Sequence, residues 1–265
     1  MRQYLVAVYA TVRRDAAIFV SYRFRSVTQI LTVLFSMTMF YYVSKLVRPG
    51  VVGPHSDYFA YVVVGIVSLA ILTAALNMSR LVQMELFAGT FERIVISPAG
   101  PVVGVVSLAV FPVLYAIVLA GVMLTAASVI FGFPIQVDEV PAALAVAGLG
   151  ALAFTCIGLL FVACLLVFKS ATGSSWVITA LSILGGIYFP LRLFPVWIRW
   201  LSDVQPFTPS VDLLRHLLLG TPSIQPAWLE LVKLGAFSAG LLPISAAVLW
   251  FAVHVSRRRG TLMEF

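Results

Sequence analysis

The sequence predicts an all-α integral membrane protein with six transmembrane helices, and three observations predict it. Hydrophobic residues make up 62% of the 265 positions and charged residues only 10%, with a mean hydropathy of +1.07. A soluble domain carries about 25% charge, so this much apolar surface has no burial site except lipid. The apolar residues gather into six runs, near 27–47, 57–79, 102–131, 140–168, 172–189 and 230–255. Most of them reach the roughly 20 residues a helix needs to cross a hydrocarbon core of about 30 Å. No Asp or Glu stands in the middle of any run.

In lipid every backbone donor and acceptor needs a partner within the protein, so the runs must be helices. Six crossings place both termini on one side. With the termini inside, the cytoplasm receives Arg2, Arg13, Arg14, Arg23, Arg25, Arg80, Arg93, Lys169, Arg257, Arg258 and Arg259. The outside receives Lys45, Arg48, Arg192, Arg199, Arg215 and Lys233. The positive-inside rule therefore selects cytoplasmic termini. It also explains the net charge of +7 without a nucleic-acid partner.

The N-terminal stretch is amphipathic and too polar to span. Leu5, Val8, Tyr9, Val12, Ala16 and Phe19 share one helical face, and Arg14 lies opposite. Such a helix lies in the membrane interface. Arg23 returns to the apolar face, so a bend is expected near 21–25, where the chain turns into the membrane. The stretch lacks the apolar core and small-residue cleavage site of a signal peptide.

Motifs for chemistry are sparse. There is no G-x-x-x-x-G-K-[ST] phosphate loop, no G-x-S-x-G elbow and no H-E-x-x-H pair. His55, His216 and His254 are scattered. Gly148 and Gly150 lie in an alanine-rich membrane run, where small residues serve close helix packing. Cys156 and Cys164 are eight apart in one run, about 12 Å along a helix, so they cannot bridge within it. Without carboxylates at depth, an ion-driven carrier or an intramembrane aspartyl protease is disfavoured. Lys45, Lys169 and Lys233 fall near span ends, where long side chains snorkel.

Two segments stand out. Residues 80–101, RLVQMELFAGTFERIVISPAGP, form a cytoplasmic loop with a helix-compatible run, interrupted at Gly89 and closed at Ser97-Pro98. A short amphipathic element between two spans suits docking of a soluble partner. Residues 186–226 carry Pro190, Pro195, Pro206, Pro209, Pro222 and Pro226, with helix-compatible pieces near 195–203 and 209–219. Neither piece can span, and Phe194, Trp197, Trp200 and Phe207 suit a membrane–water boundary. They read as a broken hairpin re-entering the outer leaflet.

At these segments the sequence resembles the membrane subunits, or permeases, of type-2 ATP-binding-cassette exporters. The first segment matches through Glu85, Gly89-Thr90, Glu92 and Ser97-Pro98, with Arg93 beside them. The second matches through Gly186, Pro190, Pro195, Trp197, Pro206, Leu214-Arg215 and Gly220. With the N-terminal interfacial helix (1–25) and six spans, the resemblance covers the whole chain, 1–265, as one transmembrane domain. It implies a prokaryotic cytoplasmic (inner) membrane location, pairing with a second permease, and two cytoplasmic subunits that bind ATP and Mg. This chain then needs no cofactor of its own. It implies that 80–101 is the coupling loop, with Glu85, Gly89, Thr90, Glu92, Arg93, Ser97 and Pro98 at the ATPase. It also implies that Pro190, Pro195, Trp197, Pro206 and Arg215 belong to an external gate. Spans 1, 2 and 5 line the path in that family. By polarity, Tyr41, Tyr42, Tyr61, Ser68, Thr73, Ser182 and Tyr188 are the candidates for its lining.

The expected function is export of an amphipathic substrate, a lipid, drug-like molecule or glycolipid, by alternating access. Export of a lipid-linked polysaccharide is the alternative. A lipid-modifying enzyme would have to be built from Asp203, Asp212, Arg215 and His216. A structural subunit would tolerate substitution across 85–98.

Overall fold

A computed structural model of the chain describes residues 2–21, 23–46, 58–97, 99–133, 135–169 and 173–258. Among these residues there are helices and turns and no strand. Helix α1 (Arg2–Ser21) leads to α2 (Arg23–Leu46). Then follow α3 (Tyr58–Leu76), α4 (Met78–Phe87), the one-turn α5 (Phe91–Val95), α6 (Gly100–Phe131) and α7 (Val140–Phe168). Helices α8 (Gly173–Leu184), α9 (Val196–Asp203), α10 (Phe207–Leu219) and α11 (Ala227–Arg258) complete the chain.

Among the described residues, five helices are long and apolar enough to cross a membrane: Val27–Leu46, Tyr58–Phe87, Gly100–Phe131, Val137–Phe168 and Ala227–Arg258. The run expected to span at 172–189 forms only α8, 12 residues long, about 18 Å at 1.5 Å per residue. Its helix stops because Gly185-Gly186 follows, and Gly186 takes φ +68°, a left-handed conformation that costs glycine little. The second span also differs from expectation. Past residue 79 the chain continues as α4, so Glu85 sits on a helix that prolongs the candidate span to Phe87.

Helix α7 is the centre of the bundle and packs against α3, α4, α10 and α11. Its first half joins α3 and α10 in a core containing Phe154, Phe207, Val211 and Leu72. Its second half joins α4, α5 and α6 in a core containing Met78, Phe91, Leu165 and Leu249. Close approach depends on small residues. A Cβ on Gly158 would stand 2.6 Å from the Ala75 carbonyl oxygen. Pro112 and Pro243 stand inside α6 and α11 without ending them, as neighbours in a membrane bundle re-satisfy freed backbone groups.

Helix α1 packs on α6. Thr11 meets the Ser107 hydroxyl at 3.2 Å, and the Phe19 ring meets Phe111 and Tyr115 at 5.9 and 4.7 Å. Contacts advance in the same direction along both helices, so α1 climbs the flank of α6. The apolar face anticipated for lipid is thus partly covered by protein, whereas Tyr9, expected on it, is exposed. Helix α2 is the reverse case: among its described side chains only Met37 is fully buried.

Gly158→Val is expected to destabilise the fold by about 1–3 kcal/mol through overpacking against α3. Gly148→Val, where an added Cβ meets nothing within 4 Å, is expected to change it by less than about 0.5 kcal/mol. Thermal unfolding in detergent reads the difference, and equal losses would refute this account of α3–α7 packing.

Candidate functional site

Residues Tyr58–Phe87 form a nearly continuous rod of 30 residues, jointed at Asn77. It is about 45 Å long, some 15 Å more than the hydrocarbon core. Its far end closes with a left-handed cap. Gly89 takes φ +67°, the Thr90 amide donates to the Glu85 carbonyl, and the Gly89 amide donates to Leu86. This pair of bonds uses up carbonyls that a helix end otherwise leaves orphaned. The turn presents α5, which buries Phe91 and Val95 and exposes Glu92 and Arg93. Met84 and Ile96 are exposed nearby.

The Glu85 side chain braces this turn. Its carboxylate accepts the Thr90 hydroxyl and pairs with the Arg14 guanidinium of α1 at 3.1 Å. Arg14 also pairs with Asp15 at 3.0 Å. Partial burial strips hydration from the guanidinium and by itself lowers its pKa, but the two carboxylates outweigh this and hold it above its ordinary value. Glu85, Gly89 and Thr90 therefore shape the turn, whereas Glu92 and Arg93 point away from it. Ser97 is half-buried, and Pro98 lies outside the described residues. The Arg14 partnership escaped sequence analysis because the two residues are 71 positions apart.

The other end of the rod carries a second constellation. Beyond α8 the chain runs through Gly186, Ile187 and Tyr188 without regular structure, and side chains take up its carbonyls. The Tyr61 hydroxyl donates to the Gly186 carbonyl at 2.7 Å and the Tyr58 hydroxyl to Tyr188 at 3.3 Å. The Ser202 hydroxyl donates to the Leu184 carbonyl at 2.8 Å. Arg215 of α10 is buried. Its Nε donates to the Tyr61 carbonyl at 3.2 Å, and its Nη2 reaches the Tyr61, Gly186 and Ile187 carbonyls at 3.1, 3.0 and 3.3 Å. The guanidinium carbon lies 3.4 Å from the centre of the Tyr61 ring, an attractive cation–π arrangement. Gly65 makes room, since a Cβ there would stand 2.8 Å from Ile187 Cγ2 and 3.1 Å from Arg215 Nη2.

Helix α10 leans into the bundle. Ser210 lies against Gly150 and Phe207 against Phe154, about 15–21 Å along α7 from its first residue. At the opposite end the Leu218 carbonyl accepts the Gln136 amide, ahead of α7. Pro206 is the N-cap of α10 and Pro195 that of α9. Pro190 is buried and Trp197 is 73% exposed. The proline-capped pieces expected at 195–203 and 209–219 thus exist, but one is superficial and the other is core.

The candidate path residues are dispersed. Tyr41 packs between Phe59 and Phe131 at 5.5 and 4.8 Å, and Tyr188 stacks on Phe40 at 5.9 Å. Tyr61 is held in the Arg215 constellation. The Ser68 and Ser182 hydroxyls donate to their own helices. Thr73 is half-buried and Tyr42 is exposed. The four residues considered for an enzyme do not converge. Asp212 accepts the Ile224 amide at 2.8 Å, Asp203 faces Lys233 at 3.6 Å, His216 lies 2.8 Å from the Thr221 carbonyl, and Arg215 is occupied as above. Among the described residues no group of His, Cys, Asp and Glu is arranged to hold a metal.

The sequence of residues 2–219 matches a family described as ABC-2 type transporter. The chain belongs to that family. It is the membrane permease of an ABC transporter, and the ATPase lies in a separate subunit. Permeases of this family generally pair with ATP-binding subunits. No curated protein matches the chain. The match includes both ends of the α3–α4 rod and all of α8, α9 and α10.

Glu85→Ala removes the brace between the turn and α1. Amide exchange across residues 88–93 is expected to accelerate about tenfold, the worth of one charge-assisted hydrogen bond. Arg14→Ala, which breaks a half-exposed ion pair, is expected to change it less than about threefold. Unchanged exchange in Glu85→Ala would mean that backbone bonds alone hold the turn.

Proposed function

We propose that this permease exports an amphipathic substrate, a lipid, drug-like molecule or glycolipid, out of the cytoplasm or inner leaflet by alternating access. Two copies, or one copy and a sister permease, pair in the membrane, and two cytoplasmic subunits that bind ATP and Mg drive them. The observation that carries the reading is the capped turn at the end of the rod. It closes a rod about 45 Å long, some 15 Å more than a hydrocarbon core, and offers charged Glu92 and Arg93 beside apolar Met84 and Ile96. That combination suits a soluble protein better than lipid headgroups, because an apolar core flanked by charges is the anatomy of a protein interface.

In this reading α5 is the coupling element and Glu85 and Thr90 hold its shape. Ser97-Pro98 would close the loop, and α1 is the interfacial helix that flanks it. The short α8, followed by the 186–195 stretch, completes a sixth crossing. Its exposed face carries Trp176 and Ile183, so it is available to a second permease. Both termini are then cytoplasmic, in keeping with the Lys and Arg distribution, and the membrane is the prokaryotic inner membrane. The segment 186–226 is the external re-entrant hairpin, with Pro190, Pro195, Trp197, Pro206 and Arg215 around the outer gate. The rarity of charge along α2, α3 and α8 favours an amphipathic cargo over an ion.

The test uses the permease purified with its ATP-hydrolysing partner. Combined Glu92→Ala and Arg93→Ala substitution alters only exposed side chains, so thermal stability should shift by less than about 0.5 kcal/mol. Co-purification of the ATPase is expected to fall at least about tenfold, the equivalent of 1.4 kcal/mol. Full retention of the partner, with ATP hydrolysis at the unsubstituted rate, would reject α5 as the docking element.

A further inference from the structure

The ends of the α3–α4 rod are both clamped to other segments. At one end Glu85 joins α4 to the α5 turn and to α1. At the other, Tyr58, Tyr61 and Gly65 join α3 to the chain beyond α8 and to α10. Tyr61 and Glu85 are 24 residues apart, about 36 Å along the axis. We propose that the outer clamp is a releasable clasp, in which Arg215 and Tyr61 hold the Gly186 and Ile187 carbonyls in the closed state and let go when the outer end opens. The proposal rests on the alternating-access reading above and deepens it by naming the contact that breaks.

Three features distinguish this clasp from a permanent joint. First, its bonds are shared. Nη2 alone serves three carbonyls on two separately connected segments. Arg215 can therefore give up the Gly186 and Ile187 carbonyls and keep that of Tyr61, together with the ring face 3.4 Å away, so the charge is never bare. Second, the released strand has a hinge on its α8 side, where Gly185 and left-handed Gly186 end the helix. Third, Arg215 has no carboxylate within ion-pair distance among the described residues. Its bonds to backbone dipoles are weaker than a bidentate ion pair and are replaceable by water once the outer end is wet. Arg215 and Tyr61 are thus positioning residues for the transport cycle. The rod supplies the physical connection, since a displacement at α5 moves the helix that carries Tyr61.

The experiment uses the complex with its ATPase, reconstituted into lipid vesicles in a background with Cys156→Ala and Cys164→Ala. Loss of the ATPase from this complex, before the clasp is altered, would count against the coupled-permease reading and not against the clasp.

A thiol beside the clasp then reports its opening. Ser182→Cys places a thiol on the buried face of α8, one turn behind the clasp, since the Ser182 carbonyl accepts the Ile187 amide at 3.4 Å. A membrane-impermeant maleimide added outside should label it after vanadate trapping and spare it in the nucleotide-free complex. Arg215→Lys keeps the charge and loses the fork, so labelling is expected in both states, at a rate at least fivefold above the nucleotide-free control. Unaltered protection in Arg215→Lys would overturn the proposal.

Discussion

The architecture around the end of α8 follows from the need to satisfy backbone carbonyls where water is scarce. A helix that stops short of the membrane surface leaves its last carbonyls without partners, and in an apolar medium each such group costs several kcal/mol. Helix α8 stops after 12 residues. The carbonyls that follow are taken up by the hydroxyls of Tyr58, Tyr61 and Ser202 and by the guanidinium of Arg215. That requirement explains why an arginine is buried in a lipid-immersed bundle, why α10 is drawn in beside α7, and why Gly65 has no side chain.

The same logic shapes the other end of the rod, in a more exposed setting. There the orphan carbonyls of α4 are met by the amides of Gly89 and Thr90, and the side chain of Glu85 adds a tie to α1. The two ends are unlike in strength. The ties around Glu85 are partly exposed and open to screening by salt, while Arg215 at the other end is buried. An apolar rod joins them, and α7 supports it along much of its length through close contacts such as that of Gly158 with Ala75. A displacement of α5 would therefore act on a stiff element whose far end is held by directional bonds. Such a connection produces two discrete arrangements more readily than a continuous bend.

Much of the architecture was legible because lipid restricts the choices. Long apolar runs read directly as α2, α3, α6, α7 and α11, and the prolines placed the pieces α9 and α10 to within a few residues. The length of α8 was not legible. Residues 172–189 are apolar throughout except for small polar groups, and hydropathy does not register a helix stop made by two glycines. The extension of the second span through α4 was missed for the opposite reason: Arg80 and Glu85 marked a loop carrying a short helix of its own, whereas that helix follows α3 with only a joint at Asn77 between them. At the candidate sites, Glu85, Thr90, Arg215 and Tyr61 were singled out, but for docking, gating or path lining. The structure shows them occupied with one another and with backbone.

Sequence alone determined that this chain lives in a membrane, that it is helical, and that it belongs with permeases whose ATPase lies in a separate subunit. Those are properties of composition and of local pattern, and a bilayer enforces them residue by residue. Tertiary structure decided which polar residues are internal fasteners and which are left exposed. Arg14 and Glu85, and Tyr61 and Arg215, are 71 and 154 residues apart, and their meeting depends on how α1, α3 and α10 pack. No local pattern encodes that packing, because a hydroxyl or guanidinium spends its hydrogen bonds on whatever carbonyl the fold leaves bare.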